Sequence, residues 1–217
     1  MLAKLKVDNA NGVTACVIWL HGLGADGNDF ATLVQALNLQ HIRFILPHAP
    51  YQKVTLNNGY EMRAWYDIYS LDRDSQQDDA GIRKTQTSIE ALIQQQIDAG
   101  IPPNRIALAG FSQGGAIALH TALRYPQRLA GVLALSTYLP LKNTLAAEKH
   151  GANQNTPIFI AHGSFDEVIS IDTCLASRQL LTEQGYTVDW HEYAMAHAVH
   201  PDEVDDIRQF LLRILPN

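Results

Sequence analysis

The segment Ile106-Ala-Leu-Ala-Gly110-Phe111-Ser112-Gln113-Gly114-Gly115 constrains the chain more than any other. An apolar run leads directly into Gly-x-Ser-x-Gly, and an apolar helical pattern follows from Ala116 to Leu123. Buried strand, sharp turn and helix, in that order, are the context in which this motif forms a nucleophile elbow. A serine hydroxyl is a weak nucleophile and must be presented beside a base. A tight strand-to-helix turn does this by lifting Ser112 above the end of a sheet. The flanking backbones then approach closely, so Gly110 and Gly114 leave room that a Cβ would occupy. The competing reading is a serine N-cap among turn glycines, because serine is among the best caps. The motif alone leaves the two near balance. The preceding Ile-Ala-Leu-Ala run favours the elbow, and so do partners elsewhere in the chain.

Those partners sit on a regular alternation of elements. Val13 to Leu20 is an apolar, β-branched-rich run that reads as a strand buried on both faces. It ends in His21-Gly-Leu-Gly-Ala-Asp-Gly-Asn28, where Asn28 or Asp29 can cap a helix carrying Phe30, Leu33, Val34 and Leu37 on one face. Further strands are expected at Ile42 to Leu46, Leu129 to Leu135, Pro157 to Ala161 and Tyr186 to Tyr193. A helix is expected from about Asp79 to Ala99, stopped by Gly100 and Pro102-Pro103. Another starts at Ser170 or Asp172, and a last one turns Val204, Ile207, Leu211 and Ile214 inward. This alternation argues a mostly parallel central sheet with helices on both faces. No linker or repeat divides residues 1–217, so one domain is expected. Residues 51–80 are the least regular part. They hold an Asn57-Asn58-Gly59 turn and a short strand or ordered loop at Arg63 to Ile68, and they read as a lid-like segment.

Charge excludes some partners. Net charge is −6 with no Lys/Arg block, which argues against a nucleic-acid or basic membrane-binding surface. The first twelve residues are polar and mixed, and Val13 to Leu20 is too short to span a bilayer or form a signal peptide with its flanks. Cys16 and Cys174, neither in a Cys-x-x-Cys pair, fit a reducing compartment, so a cytoplasmic location is expected.

Active residues of open α/β sheets lie beyond the carboxyl ends of strands. Asp166 follows the Ile158-Phe159-Ile160 strand, and His197 lies between the 186–193 strand and the last helix. The order Ser112, Asp166, His197 is the hydrolase order. In it His197 is the general base and Asp166 holds its tautomer. Each has a blander reading. Asp166 is also a plausible turn or cap residue, with Glu167 and Asp172 as rivals. His200, before Pro201, is a rival base or a helix neighbour, and His191 lies within a strand. An oxyanion needs backbone donors. Gln113 N–H follows the nucleophile, and Leu23 N–H belongs to the loop after the first apolar strand. His21 reads as a loop brace. Gly22-x-Gly24-x-x-Gly27 also matches a dinucleotide fingerprint, but the acid required about twenty residues on is missing from Leu46-Pro-His-Ala49. His197-x-x-His200 lacks the His-Glu-x-x-His arrangement of a metal site. No cofactor or metal is expected.

These residues resemble the carboxylesterase and acyl-protein thioesterase (phospholipase/carboxylesterase) family of α/β hydrolases, in its bacterial form. The matching stretches are His21 to Asn28, Pro47-His-Ala-Pro50, Met62-Arg-Ala-Trp-Tyr-Asp-Ile68, Gly110-Phe-Ser-Gln-Gly-Gly115, His162-Gly163 with Asp166, and Met195 with His197. The resemblance implies an α/β-hydrolase fold and esterase or thioesterase activity on short-to-medium acyl chains, without a cofactor. The substrate it implies is a small acyl ester or thioester, with acylated proteins and lysophospholipids as candidates, and some members are homodimers. It supports Ser112, Asp166 and His197, with Leu23 and Gln113 at the oxyanion hole. It also implies an acyl site near residues 65–72, with Trp65 and Leu71 as the substrate-binding candidates. The chain departs from the family pattern at Ala194-Met-Ala-His-Ala198, which lacks the glycine common before the histidine. Thr137 replaces another glycine and Glu167 a common proline. The Ala196 departure leaves one alternative function, a catalytically silent ligand-binding protein on the same fold.

Overall fold

The apolar runs become the core strands of one sheet. A computed structural model of the chain describes residues 2–7, 12–70 and 75–217. In chain order the strands are β1 (Lys4–Val7), β2 (Ala15–Leu20), β3 (Ile42–Pro47), β4 (Tyr51–Val54), β5 (Tyr60–Arg63), β6 (Ile106–Phe111), β7 (Gly131–Leu135), β8 (Ile158–Gly163) and β9 (Val188–Tyr193). The α-helices are α1 (Ala31–Leu37), α2 (Asp79–Asp98), α3 (Gln113–Arg124), α4 (Leu145–Glu148), α5 (Ile171–Glu183) and α6 (Pro201–Ile214).

Seven strands form the main sheet in the order β1-β3-β2-β6-β7-β8-β9. All its pairings are parallel except β1 with β3. β1 falls in the stretch that reads as polar and mixed. Its Lys-Leu-Lys-Val alternates because it is an edge strand with one solvated side, and lysines on an edge discourage pairing with another chain. The central strands β2, β7 and β8 are buried at every residue, as a sheet covered on both faces requires.

Period-2 alternation splits each strand between two cores. Ile18 and Leu20 of β2, Leu108 of β6 and Ile160 of β8 face α2, α3 and α5. Val17 and Trp19, Ala109 and Phe159 face α1 and α6. Helices therefore cover both faces.

The 51–80 segment holds a separate two-stranded antiparallel ribbon, β4 with β5. Asn58 (φ 55°) and Gly59 (φ 73°) make its turn, where the Asn-Asn-Gly signal stands. Of the two readings of Arg63 to Ile68, the ordered loop holds beyond Arg63, and the strand is Tyr60–Arg63. The reason is that side chains take up the next backbone groups. Gln113 Oε1 accepts from Trp65 N–H (2.9 Å) and Gln113 Nε2 donates to Tyr66 C=O (2.7 Å). Thr85 Oγ1 donates to Trp65 C=O.

Near α1, Asp26 rather than Asn28 or Asp29 is the cap, accepting from Asn28 N–H at 2.7 Å before a 3₁₀ turn that leads into the helix.

The turn from β6 to α3 is the tightest feature. Ser112 has φ 54° and ψ −122°, outside the regions open to most L-residues. A Cβ on Gly110 would lie 2.3 Å from Gly114 C, and one on Gly114 would lie 2.4 Å from Leu20 O. These positions admit only glycine. Strain of this kind costs on the order of 1–3 kcal/mol. Replacing Ser112 by Gly should therefore give a protein more stable than Ser112→Ala by roughly 1 kcal/mol, after the entropy cost of glycine. Denaturant melts of the two variants test this, and an equal or lower midpoint for the glycine variant would place no strain at Ser112.

Candidate active site

Ser112, Gln113, Leu23 and His197 line one cleft of about 370 Å³ above the carboxyl end of the sheet. Gln113 is the first residue of α3, where backbone N–H groups have no intrahelical acceptor. Leu23 lies in the loop after β2. Ala25 N–H turns back to Gly22 C=O (3.3 Å), and Gly24 N–H donates to Arg63 C=O (2.8 Å). The elbow and this loop thus face the same space.

His197 Nδ1 donates to Asp166 Oδ2 at 2.7 Å. The Asp166 side chain is fully buried, whereas that of His197 keeps 17% of its surface open to the cleft. Asp166 Oδ1 accepts from Val168 N–H and Ile169 N–H, both at 2.9 Å, so the turn after β8 fixes the carboxylate. The two loops are packed together. Phe165 N–H donates to Met195 C=O at 3.0 Å, and a Cβ on Gly163 would lie 2.3 Å from that same carbonyl oxygen.

The rival residues lie elsewhere. Asp172 is inside α5 and Glu167 is exposed. His200 is the N-cap of α6, its Nδ1 accepting from Asp202 N–H at 3.2 Å. His191 stacks on Phe159 with ring centroids 4.5 Å apart. His21 braces its loop. Its Nδ1 donates to Gly22 C=O (2.7 Å) and its Nε2 accepts from Ala49 N–H (3.0 Å). Burial holds its pKa below the ordinary imidazole value, which suits this neutral tautomer. The dinucleotide fingerprint has a packing explanation at its last glycine. A Cβ on Gly27 would lie 2.4 Å from Leu46 O, at the end of the neighbouring strand.

Trp65 is placed differently from its expected substrate-facing role. It is 1% exposed, outside the cleft lining, with its indole N–H donated to His21 C=O (2.8 Å) and its ring 5.0 Å from His21. It props the loop from behind. Leu71 lies outside the described residues. The apolar lining comes instead from Leu56, Ile68, Phe111, Val168 and Ile169. From the stretch where the acyl site is expected, Tyr66 and Ile68 line the cleft.

Sequence reasoning misses three supports. The Phe111 ring packs on His197, centroids 4.7 Å apart, and continues through Phe30 to Trp19. An apolar residue before the nucleophile was the available signal. Thr137 Oγ1 donates to Ser112 C=O at 2.6 Å, steadying the elbow. Glu203, fully buried, closes the capping box of α6 by accepting from His200 N–H at 3.1 Å. Among the described residues no three His, Cys, Asp or Glu side chains converge to hold a metal ion. No helix among them is long and apolar enough to cross a membrane.

A serine on a strained strand-to-helix turn, sharing a cleft with a histidine held by a buried carboxylate, defines a serine-hydrolase-type α/β hydrolase. Residues 6–215 match the Phospholipase/Carboxylesterase family, and the chain belongs to it. An acyl-protein thioesterase 1 of Neurospora crassa is 42% identical over 215 residues, 94% of this chain and 88% of the relative. Another from Yarrowia lipolytica is 40% identical, covering 91% of each chain. The structure of Zea mays acyl-protein thioesterase 2 superposes with a TM-score of 0.89 at 27% identity, covering 99% of this chain and 100% of that one. The protein is accordingly an enzyme acting on esters or thioesters.

Two tests follow from the histidine loop. Ala196 is not among the residues with positive φ, so the position does not require the family's glycine. Ala196→Gly should leave kcat/KM within about twofold, a change under ~0.5 kcal/mol. It should lower stability by roughly 0.5–1 kcal/mol through added unfolded-state entropy. A large rise in kcat/KM would show that the alanine holds the loop out of shape. Burial raises the Glu203 pKa from 4.5 to about 7, against the opposing hydrogen bond from His200 N–H. Between those values the folded chain keeps a proton that the unfolded chain has released. Stability therefore falls as pH rises across that window. Glu203→Gln removes the titration, so its stability relative to wild type should improve by on the order of 2–3 kcal/mol from pH 4.5 to 8. Denaturant melts at the two pH values check this, and a constant difference would contradict it.

Proposed function

We propose that Ser112, His197 and Asp166 carry the hydrolysis of carboxylic esters and thioesters of short-to-medium acyl chains. The observation that supports this most is the buried Asp166 carboxylate on His197 Nδ1, with His197 and the strained Ser112 lining one cleft. Asp166 holds the imidazole as the Nδ1–H tautomer, which leaves Nε2 free to act as base. Nε2 takes the Ser112 proton as Oγ attacks the carbonyl carbon. The negative charge that develops on the carbonyl oxygen is received by the N–H groups of Leu23 and Gln113. The N-terminus of α3 adds a favourable dipole there. His197 then returns the proton to the departing alcohol or thiol, leaving an acyl-Ser112 ester. Water, deprotonated by His197, hydrolyses that ester and restores the serine.

The acyl chain is read by the apolar wall of Leu56, Ile68, Phe111, Val168 and Ile169. Tyr66 and Tyr138, hydroxyls 2.8 Å apart, stand between this cleft and an adjoining cavity of about 260 Å³ lined by several Ser and Gln side chains. Ile68, Val168 and Ile169 line both spaces as well, so the apolar wall continues from one into the other. Acylated proteins are the substrate class suggested by the names of the relatives, with lysophospholipids as the runner-up. The buried cysteines Cys16 and Cys174, not joined in a disulfide, support a cytoplasmic location. A silent binding protein rests only on the Ala196 departure, which leaves both the backbone and the His197–Asp166 bond undisturbed.

A fluorophosphonate should add its mass to the wild type and not to Ser112→Ala. Ser112→Ala, His197→Ala and Asp166→Asn should each lower kcat by about 10³-fold or more. His200→Ala should cost about 1 kcal/mol of stability through its cap, with little loss of kcat. Full turnover in Ser112→Ala, or equal damage from His200→Ala, would sink the assignment. Along a p-nitrophenyl ester series kcat/KM should climb from acetyl to butyryl or hexanoyl, by up to about fourfold per methylene. Ile68→Ala should flatten the climb. If acetyl is the best substrate, the cleft does not read the acyl chain.

A further inference from the structure

His162 is the fifth residue of β8 and lies beside Asp166, with no exposed surface. The hydrolytic steps make no use of it. Its Nε2 is 2.8 Å from Ile169 C=O and 3.5 Å from Asp166 Oδ2. A carbonyl and a carboxylate only accept, so Nε2 carries the hydrogen. Nδ1 is buried without a hydrogen-bond partner among the described residues. A proton there would be unpaired, so the ring is the neutral Nε2–H tautomer. Burial also lowers its pKa, outweighing the opposite pull of the Ile169 carbonyl and Asp166. The imidazole is therefore a fixed donor and not a proton store.

What it donates to connects two parts of the site. Ile169 is gripped on both sides, its N–H by Asp166 Oδ1 and its C=O by His162. Val168 N–H closes onto the same Oδ1. Residues 166–169 thus form a ring of bonds carrying the acid that holds His197 and two side chains of the cleft wall. Any slip of this ring moves the acid and the wall together. A lysine or arginine could also donate, but would bury a charge next to the His197–Asp166 pair, at a high desolvation cost.

We infer that His162 is a positioning residue for ester hydrolysis, setting the Asp166 carboxylate against His197 and the Ile169 wall against the substrate. This rests on the roles given above to Asp166 and His197. Glutamine can place an amide N–H near the position of Nε2, whereas asparagine stops short of it and leucine has no donor. With a butyryl ester, His162→Leu and His162→Asn should lower kcat about 10- to 100-fold, the scale of a small misplacement of catalytic groups. KM should change far less, and fluorophosphonate labelling should slow in parallel with kcat. His162→Gln should recover most of the loss. Circular dichroism and melting curves identify folded variants, and the Gln–Asn comparison stands even where leucine prevents folding. Wild-type kcat in folded His162→Leu would overturn the inference, as would equal kcat in folded Gln and Asn variants. Those outcomes leave the serine mechanism untouched if Ser112→Ala and His197→Ala are inactive. Activity in the latter two would instead overturn the underlying roles.

Discussion

The close passage of α3 beneath the ends of β2 and β6 is the constraint on which the rest of the site depends. Without a Cβ at Gly110 and Gly114, the first turn of α3 lies against the carbonyls of Leu20 and His21. That one contact sets two things together. It forces the strained conformation that projects Ser112 from the sheet, and it fixes where the loop after β2 begins. The proposed nucleophile and one proposed oxyanion donor, from separate segments, are thereby placed by backbone packing, before any side chain contributes. Side chains then lock the arrangement. His21, gripped by Gly22 and Ala49, also supports Trp65, while Gln113 ties the Trp65–Tyr66 backbone to the elbow.

Much of this was legible in the sequence because the central strands are buried on both faces. Such strands appear as unbroken apolar runs, and the residues just beyond their carboxyl ends can be counted off. Ser112 and Asp166 are candidates of that kind, whereas His197 follows the half-buried edge strand β9, and the structure brings it onto Asp166. The same logic fails at the periphery. β1 is short and half solvated, and β4 and β5 pair with each other away from the main sheet. Their patterns carry little signal above that of an ordinary loop.

Trp65 shows a second limit. The family resemblance implies an acyl site near residues 65–72, with Trp65 facing the substrate. The backbone there is held by Gln113 and Thr85 in an irregular course, so neighbouring side chains point to different places. Trp65 goes inward onto His21, while Tyr66 and Ile68 reach the cleft. Where side chain–backbone bonds replace a ladder, no period survives to say which residues share a face. The Phe111–His197 contact was hidden for a related reason, since it joins the end of β6 to a loop distant in sequence.

The departures from the family pattern also make physical sense together. Thr137 occupies a position where glycine is common, and its hydroxyl donates to the carbonyl of Ser112 at 2.6 Å. The cost is crowding, because its Cγ2 lies 2.8 Å from where a Cβ on Gly115 would be. A Cβ at 115 would also lie 2.8 Å from the Gly110 carbonyl oxygen, so glycine there is required by the backbone as well as by Thr137. At Ala196 the opposite holds. The close approach falls on Gly163, across the interface between the two loops, so the alanine meets no obstruction that a glycine is needed to relieve. A glycine matters where another backbone passes within reach of its missing Cβ. Beside the histidine loop that place is Gly163, on the strand the loop packs against.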